Sequence, residues 1–438
     1  MSARCLVAPD EWLPPSASAP DAADGLWRRP ALQHVQAFAR ARGVGPLACL
    51  GSVLARVVAG TPPEYVLPPL VGRAGSLNLF VAKVAASGQG KGASDGAAED
   101  AVTLSGVEDP DSGDDQLFTT TPGSGEGLLH VYATREKDGT LRRLRDRALF
   151  DVPEIDALTA VSTRQGATIM PLLRQAYSGE ALGFAYADPG KRLRIRGHTY
   201  RCAMVVGVQP GRAAALLDDA DGGTPQRFLW LPVTDPDAPP LRPAEPQPRR
   251  IELPPATTSR RELKVCHEAA SVIEAAARRR LLGQADNALD GHALYTRLKV
   301  AAALSLLDER LDVNPEDWHL AGLLMAISDA TRDGIQDELR QAAADRNLAR
   351  ADAEATRAVR VAGAVEDAVT QRVALAVTRK LDKQPGDWIT GADLRRALAS
   401  NQRRHLDEAL EVLTTTGQVE VEDIPGQGTT GHRYRRPR

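Results

Sequence analysis

The sequence is poor in residues that staple or ligate. Its 438 residues include four cysteines, Cys5, Cys49, Cys202 and Cys266, scattered and without a CxxC pair. Such spacing suggests neither a disulfide framework nor a zinc site. No run approaches the roughly 18 uninterrupted apolar residues of a membrane-spanning helix, so no membrane association is expected. The N-terminus, MSARCLVAPDEW, lacks the apolar stretch of a signal peptide, and the cytoplasm is the expected compartment. Charge of one sign is not in excess: the formal net charge is -3. No global field draws the chain to nucleic acid, and binding of that kind must come from a local patch. Aromatic residues are 4%, which points to aliphatic cores.

Apolar residues make up 43% and charged residues 25%, the balance of a globular chain. Abundant alanine and arginine favour helix. The length calls for two or three domains.

One stretch organises the rest. Leu77-Asn78-Leu79-Phe80-Val81-Ala82 reads as a buried strand. The small-residue loop Ala85-Ala86-Ser87-Gly88-Gln89-Gly90 follows, then Lys91 and a helix-permissive run. Strand, small-residue loop, Gly-Lys, helix is the order that a phosphate cradle needs. Backbone N–H groups can turn inward where no bulky side chain blocks them, and the lysine adds a point charge. Ser87, Gly88, Gln89, Gly90, Lys91, Gly92 and Ala93 are the expected nucleotide-binding residues. The pattern GxxxxGK[ST] is matched imperfectly. Ala85 holds the first glycine position, and Gly92 stands where a hydroxyl normally meets Mg²⁺. Ser94 comes two residues too late to replace it. The alternative is a glycine-rich turn between a strand and a helix. A second glycine-rich run, Gly123 to Gly127, has no lysine and reads as a turn into a helix.

Downstream, Arg147 to Asp156 is a short apolar strand ending in carboxylates. Asp151 closes the strand; Glu154 and Asp156 lie just beyond. Acids so placed beside a phosphate loop can order Mg²⁺ and polarise a water, with Asp151 and Glu154 as the metal candidates. They can equally be an acidic helix start, since Pro153 suits a first turn. Ala203 to Val208 is fully apolar and reads as a central strand, closed by Gln209. Gln209 can reach a γ-phosphate or cap a turn. Arg227 follows the glycine turn at 222–223 and precedes another apolar run. It can serve as an arginine finger toward a neighbouring subunit's nucleotide or as a surface ion pair. Arg192, Arg194 and Arg196 alternate with Leu193 and Ile195, so one edge there faces solvent or a phosphate chain.

The expected organisation is a flexible arm over 1–30 and a P-loop ATPase core over 31–235 with a helical lead-in at 31–60. A proline-rich linker over 236–258 follows, then a helical domain over 259–362 and a winged helix over 363–438. In the last, three helices and a hairpin carry Arg403, Arg404, Arg433, Arg435 and Arg436, which suit DNA phosphates. Asp407, Glu408 and Glu411 oppose that role, and a docking module is the alternative.

SLNLFVAKVAASGQGKGAS, FTTTPGSGEGL, ALFDVPEIDALTAVSTRQGATIMPLLRQAYSGEALGF, YRCAMVVGVQP and LLDDADGGTPQRFLWLP, in that order, resemble a family of helicase-like P-loop ATPases of unknown function. These are met in bacterial plasmids, phages and integrated elements, often with primase–polymerase domains. The resemblance covers roughly residues 30–330. It implies an α/β, RecA- or AAA-like core that hydrolyses ATP with Mg²⁺. Such a core would work on DNA as a homo-oligomer, with a ring among its forms, beside a primase partner. By position, Lys91 would bind the β- and γ-phosphates. Glu154, with Asp151 or Asp156, would serve Mg²⁺ and water. Gln209 would sense the γ-phosphate, and Arg227 would act in trans. A nucleotide-binding DNA adaptor without turnover, or a replisome docking protein, is the alternative.

Overall fold

Proline opens the helices that begin at Pro30 and Pro46, at a position where its missing N–H costs nothing. The computed structural model describes residues 25–107, 117–162, 168–184, 192–217, 222–284, 290–425 and 431–437. Most of the arm expected over 1–30 lies outside the described residues, as does 108–116. Helix α1 (Pro30–Arg42) stops at Gly43, whose left-handed φ of 68° ends it. Helix α2 (Pro46–Gly60) is buried almost all round. There follow β1 (Phe80–Val84), α3 (Lys91–Ala101), β2 (Val102–Ser105), β3 (Thr119–Thr120) and α4 (Gly125–Tyr132). Next come β4 (Arg147–Val152), α5 (Ile155–Ser162), α6 (Ile169–Ser178), β5 (Arg201–Val208), β6 (Phe228–Pro232) and β7 (Arg249–Glu252).

Five of these strands form one parallel sheet, in the order β6-β1-β5-β4-β3. Alternation along each strand divides the interior in two. Val81, Ala203, Val205, Leu229 and Leu231 face a core built with α1, α2 and α3. Phe80, Ala82, Met204, Val206, Phe228 and Trp230 face a second core built with α4, α5 and α6. Buried on both faces, such strands read as continuous apolar runs.

The order creates a crevice. The connection after β1 runs through α3, whose Ala97, Ala98 and Ala101 join the first core. The connection after β5 passes Ala213, Leu216 and Leu217, which join the second. Neighbouring strands whose connections leave on opposite faces open a cleft at their carboxyl ends, where ligands of α/β folds bind. At the other end of the sheet, Arg201 is 0% exposed. Its guanidinium donates to the carbonyls of Thr61, Pro62 and Tyr65.

The proline-rich segment is more than a linker. Its residues 249–252 form β7, which pairs in parallel register with β2 from Arg249↔Val102 to Glu252↔Ser105. The prolines flank the strand and leave its donors intact. Helix formation then waits until His267, because Arg261–Glu262 pairs with Tyr65–Val66 and Lys264–Val265 with Asp312–Val313. Helices α7 (His267–Leu281), α8 (Asp290–Leu307) and α9 (Pro315–Asp382) follow. Leu298, Ala301, Trp318 and Leu324 belong to the same core as α2, so this helical region continues the α/β part. Asn314 caps α9, its Oδ1 accepting from Asp317 N at 2.8 Å.

The chain divides into two compact units, Met1–Arg340 and Gln341–Arg438. The boundary falls inside α9, which runs on through Gly363. The second unit adds β8 (Ile389–Thr390), α10 (Gly391–Ala397), α11 (Leu406–Thr415), β9 (Glu420–Ile424) and β10 (Gly431–Arg435). Its sheet is antiparallel, ordered β8-β10-β9. Val373, Val377, Leu394, Leu410 and Leu413 fill its core. Among the described residues no helix is long and apolar enough to cross a membrane.

Candidate functional site

Beyond the end of β1 the chain turns through Gly88 and Gly90, with φ of 80° and 82°. Both angles lie in the left-handed region that favours glycine. Helix α3 begins at Lys91 with no side chain capping it. Its first-turn N–H groups therefore lack the usual side-chain acceptor at the positive end of the helix dipole. Ser87, Gly88, Gln89, Gly92 and Ala93 are exposed around it. Gln89 Oε1 accepts from Ala86 N at 3.0 Å, which tightens the turn. The Ala85 N–H donates to Val208 O at 3.0 Å and holds the ends of β1 and β5 side by side.

Lys91 is 6% exposed. Its Nζ donates to Ala85 O and Ala86 O, each at 3.3 Å, and lies 3.6 Å from Glu154 Oε1. Gln209 Nε2 donates to the other oxygen, Glu154 Oε2, at 2.9 Å. Lys91, Glu154 and Gln209 thus meet in the crevice between β1 and β5. Gly207 lets them do so. A Cβ there would sit 2.1 Å from Pro153 O and 3.2 Å from Lys91 Cε, so a side chain would push the acidic loop away from the lysine.

The remaining acids stand elsewhere. Asp151 is paired in register with Val205 and faces the side of the sheet that α3 covers. It lines a cavity of about 350 Å³ with Ser52, Asp95 and Leu149. Burial raises its pKa, the charge of Asp95 adds to the rise, and Lys83 opposes it. Asp156 is exposed and lies 3.9 Å from Arg212. Arg227 precedes β6, whose first residue Phe228 is level with Phe80 at the start of β1. It is therefore at the end of the sheet opposite Lys91, is 9% exposed, and donates through Nη1 to Gly222 O at 2.6 Å. The structure does not bring Arg227 or Asp156 to the lysine.

Two residues that pattern reading passed over anchor the site. Lys83, 1% exposed, donates to Lys91 O at 2.7 Å and to Ser94 Oγ at 3.3 Å, and forms an ion pair with Asp95. Burial lowers the Lys83 pKa against the opposing pull of Asp95. This ammonium pins the first turn of α3 beneath the loop. Its signal in the sequence was a lone charge inside the apolar run LFVAKV, which demands a buried partner.

A magnesium ion finds few protein ligands here. Gly92 has no hydroxyl, and Ser94 is buried with its Oγ donating to Lys91 O at 2.6 Å. Asp151 faces the cavity, which leaves Glu154 as the carboxylate at Lys91. Among the described residues no group of three or more His, Cys, Asp or Glu side chains could hold a metal. The residues do not build a magnesium site of their own.

In the second unit the arginines expected on DNA are matched within the chain. Arg433, Arg435 and Arg436 pair with Glu422, Glu420 and Asp382, each at 2.7 Å. Arg433 and Arg435 also lie over the Trp388 ring, at 5.0 and 4.5 Å from its centre. Arg403 Nε donates to Leu398 O at 3.2 Å, and Arg404 Nε to His405 Nε2 at 3.0 Å.

A scan against protein-family models and a search of curated proteins find no match to this chain.

Proposed function

We propose that the chain binds ATP at the Lys91 loop and hydrolyses it during work on DNA, as a helicase-like P-loop ATPase. The observation that carries this is the meeting of Lys91, Glu154 and Gln209 at the crevice where the connections of β1 and β5 part. The loop N–H groups and the start of α3 would cradle the β- and γ-phosphates. Lys91 would exchange its contact with Glu154 for phosphate oxygens and neutralise charge that grows in the transition state. Glu154, released from the lysine, would accept a proton from a water aligned with the γ-phosphorus. Gln209 would hold that carboxylate and orient the water. Arg227 takes no part in this scheme, its guanidinium being engaged within its own chain.

The test is phosphate release by the wild type against Lys91→Ala, with and without single-stranded DNA. Equal background rates in both proteins overturn the enzyme.

Gly92 favours a second reading, in which nucleotide is held without turnover. Saturable binding of a fluorescent ATP analogue with no phosphate release would select it. For the second unit we propose a winged helix. Its acid-matched arginines favour docking to a protein partner over contact with phosphates.

A further inference from the structure

Two short ribbons in the first unit carry a denser set of arginines than the second unit's hairpin. One pairs Ala133–Arg135 with Leu141–Arg143. The other pairs Leu182–Gly183 with Arg194–Ile195. They are remote in sequence yet joined in space. Arg135 donates to Arg192 O through Nη2 at 2.6 Å and Nε at 3.3 Å, and Arg143 Nη2 donates to Thr199 O. Arg142, Arg143, Arg192, Arg194 and Arg196 are exposed, while Leu193 and Ile195 between them are buried.

From this joined surface we infer a docking site for the sugar-phosphate backbone of single-stranded nucleic acid. Arg192, Arg194 and Arg196 stand on one side of an extended segment. Successive guanidinium stems are therefore about 6.6–6.8 Å apart, close to two phosphate rises of a stacked strand. A polyanion with regularly spaced charges fits such a row. Residues 192–199 contain no carboxylate, and the first ribbon contains Glu136 and Asp138. Glu136 pairs with Arg142 at 2.9 Å. Among the described residues Arg143, Arg194 and Arg196 make no ion pair, in contrast to Arg433, Arg435 and Arg436. The chain as a whole is slightly acidic, so the patch is a local exception to its field. Anionic lipid would ask for several exposed apolar side chains beside the arginines; here Leu193 and Ile195 point inward, and Leu141 is the one exposed apolar side chain among the described residues of the two ribbons. The inference rests on the DNA-handling half of the proposed function and not on the nucleotide site.

The experiment uses the full chain and a fluorescein-labelled 30-nucleotide single strand, titrated by anisotropy at several salt concentrations. Arg194→Ala/Arg196→Ala is expected to weaken binding at least about tenfold at low salt. The slope of log K against log salt should become shallower by about 1.4, since each phosphate no longer neutralised removes about 0.7. Arg194→Lys/Arg196→Lys should restore most of the slope. Arg433→Ala/Arg435→Ala should leave both quantities near wild type, and binding of a fluorescent ATP analogue should be unchanged in every ribbon variant. Wild-type affinity and slope in Arg194→Ala/Arg196→Ala overturn the surface. So does binding by the wild type to phosphatidylserine vesicles but not to the oligonucleotide. Failure of the wild type to bind nucleotide, with the DNA results intact, would sink the ATPase and leave the surface standing.

Discussion

The ammonium of Lys91 stands 3.6 Å from Glu154 Oε1. Each is the other's placeholder: the lysine keeps the acid in the crevice, and the acid keeps the lysine over the loop. If the crevice takes a triphosphate, the two separate in function. Lys91→Ala is expected to lose ATP-analogue affinity. Glu154→Gln is expected to retain that affinity and lose about 100-fold or more in hydrolysis. Equilibrium binding and single-turnover phosphate release on the same preparations check the split.

Gly207 is the second point of leverage. A methyl there meets Pro153 O at 2.1 Å, a clash that no rotamer relieves. Gly207→Ala should cost about 1–3 kcal/mol of stability, the range for overpacking, and reduce hydrolysis further than that destabilisation explains. Urea unfolding together with activity measured well below the midpoint separates the two effects.

Gly92 offers a gain. A side chain at this position meets nothing within 4 Å, so Gly92→Ser should fold as the wild type does. It would restore the hydroxyl that metal–nucleotide complexes meet in such loops. The affinity of the variant for an ATP analogue should depend more steeply on Mg²⁺ than the wild type's does. Identical dependence in the two proteins would show that the hydroxyl has no route to the metal.

Acid should weaken the first unit through two histidines. Burial, with Arg260 and Arg73 nearby, lowers His198 to about 4. Burial, with Arg227 and Arg280, does the same for His292. Both stay neutral in the folded chain while the unfolded chain protonates near pH 6.5. Their contribution is therefore present above about pH 6.5 and lost as pH falls toward 4. The urea midpoint should drop between pH 7 and pH 4.5, and His198→Gln/His292→Gln should flatten that drop by on the order of 1 kcal/mol per histidine.

The strands and the loop were legible because fully buried strands write themselves as apolar runs: Phe80–Val84, Arg201–Val208 and Phe228–Pro232 all fall on or beside such runs. Asn314 followed by Pro315 is the chemistry of a helix start, a capping side chain and then a proline at the first position. Strand order could not be read, since nothing local in Ala203–Val208 says that it lies between β1 and β4. The partners of charges were hidden for the same reason. Asp95 sits in a small-residue helix, and only its distance to Lys83 makes it an anchor. The place of Arg227 was hidden too: only the sheet puts it at the end opposite its own Lys91. The prolines around Arg249–Glu252 hid a strand, because composition reports average stiffness and not which donors remain free.

Strand β5 begins two residues after Thr199, where the arginine ribbons meet, and finishes one residue before Gln209. Eight extended residues measure about 26 Å. That span keeps the two proposed stations far enough apart for both to be filled at once. Nucleotide and polymer would not contend for the same ground, and saturating one should leave the other's door open.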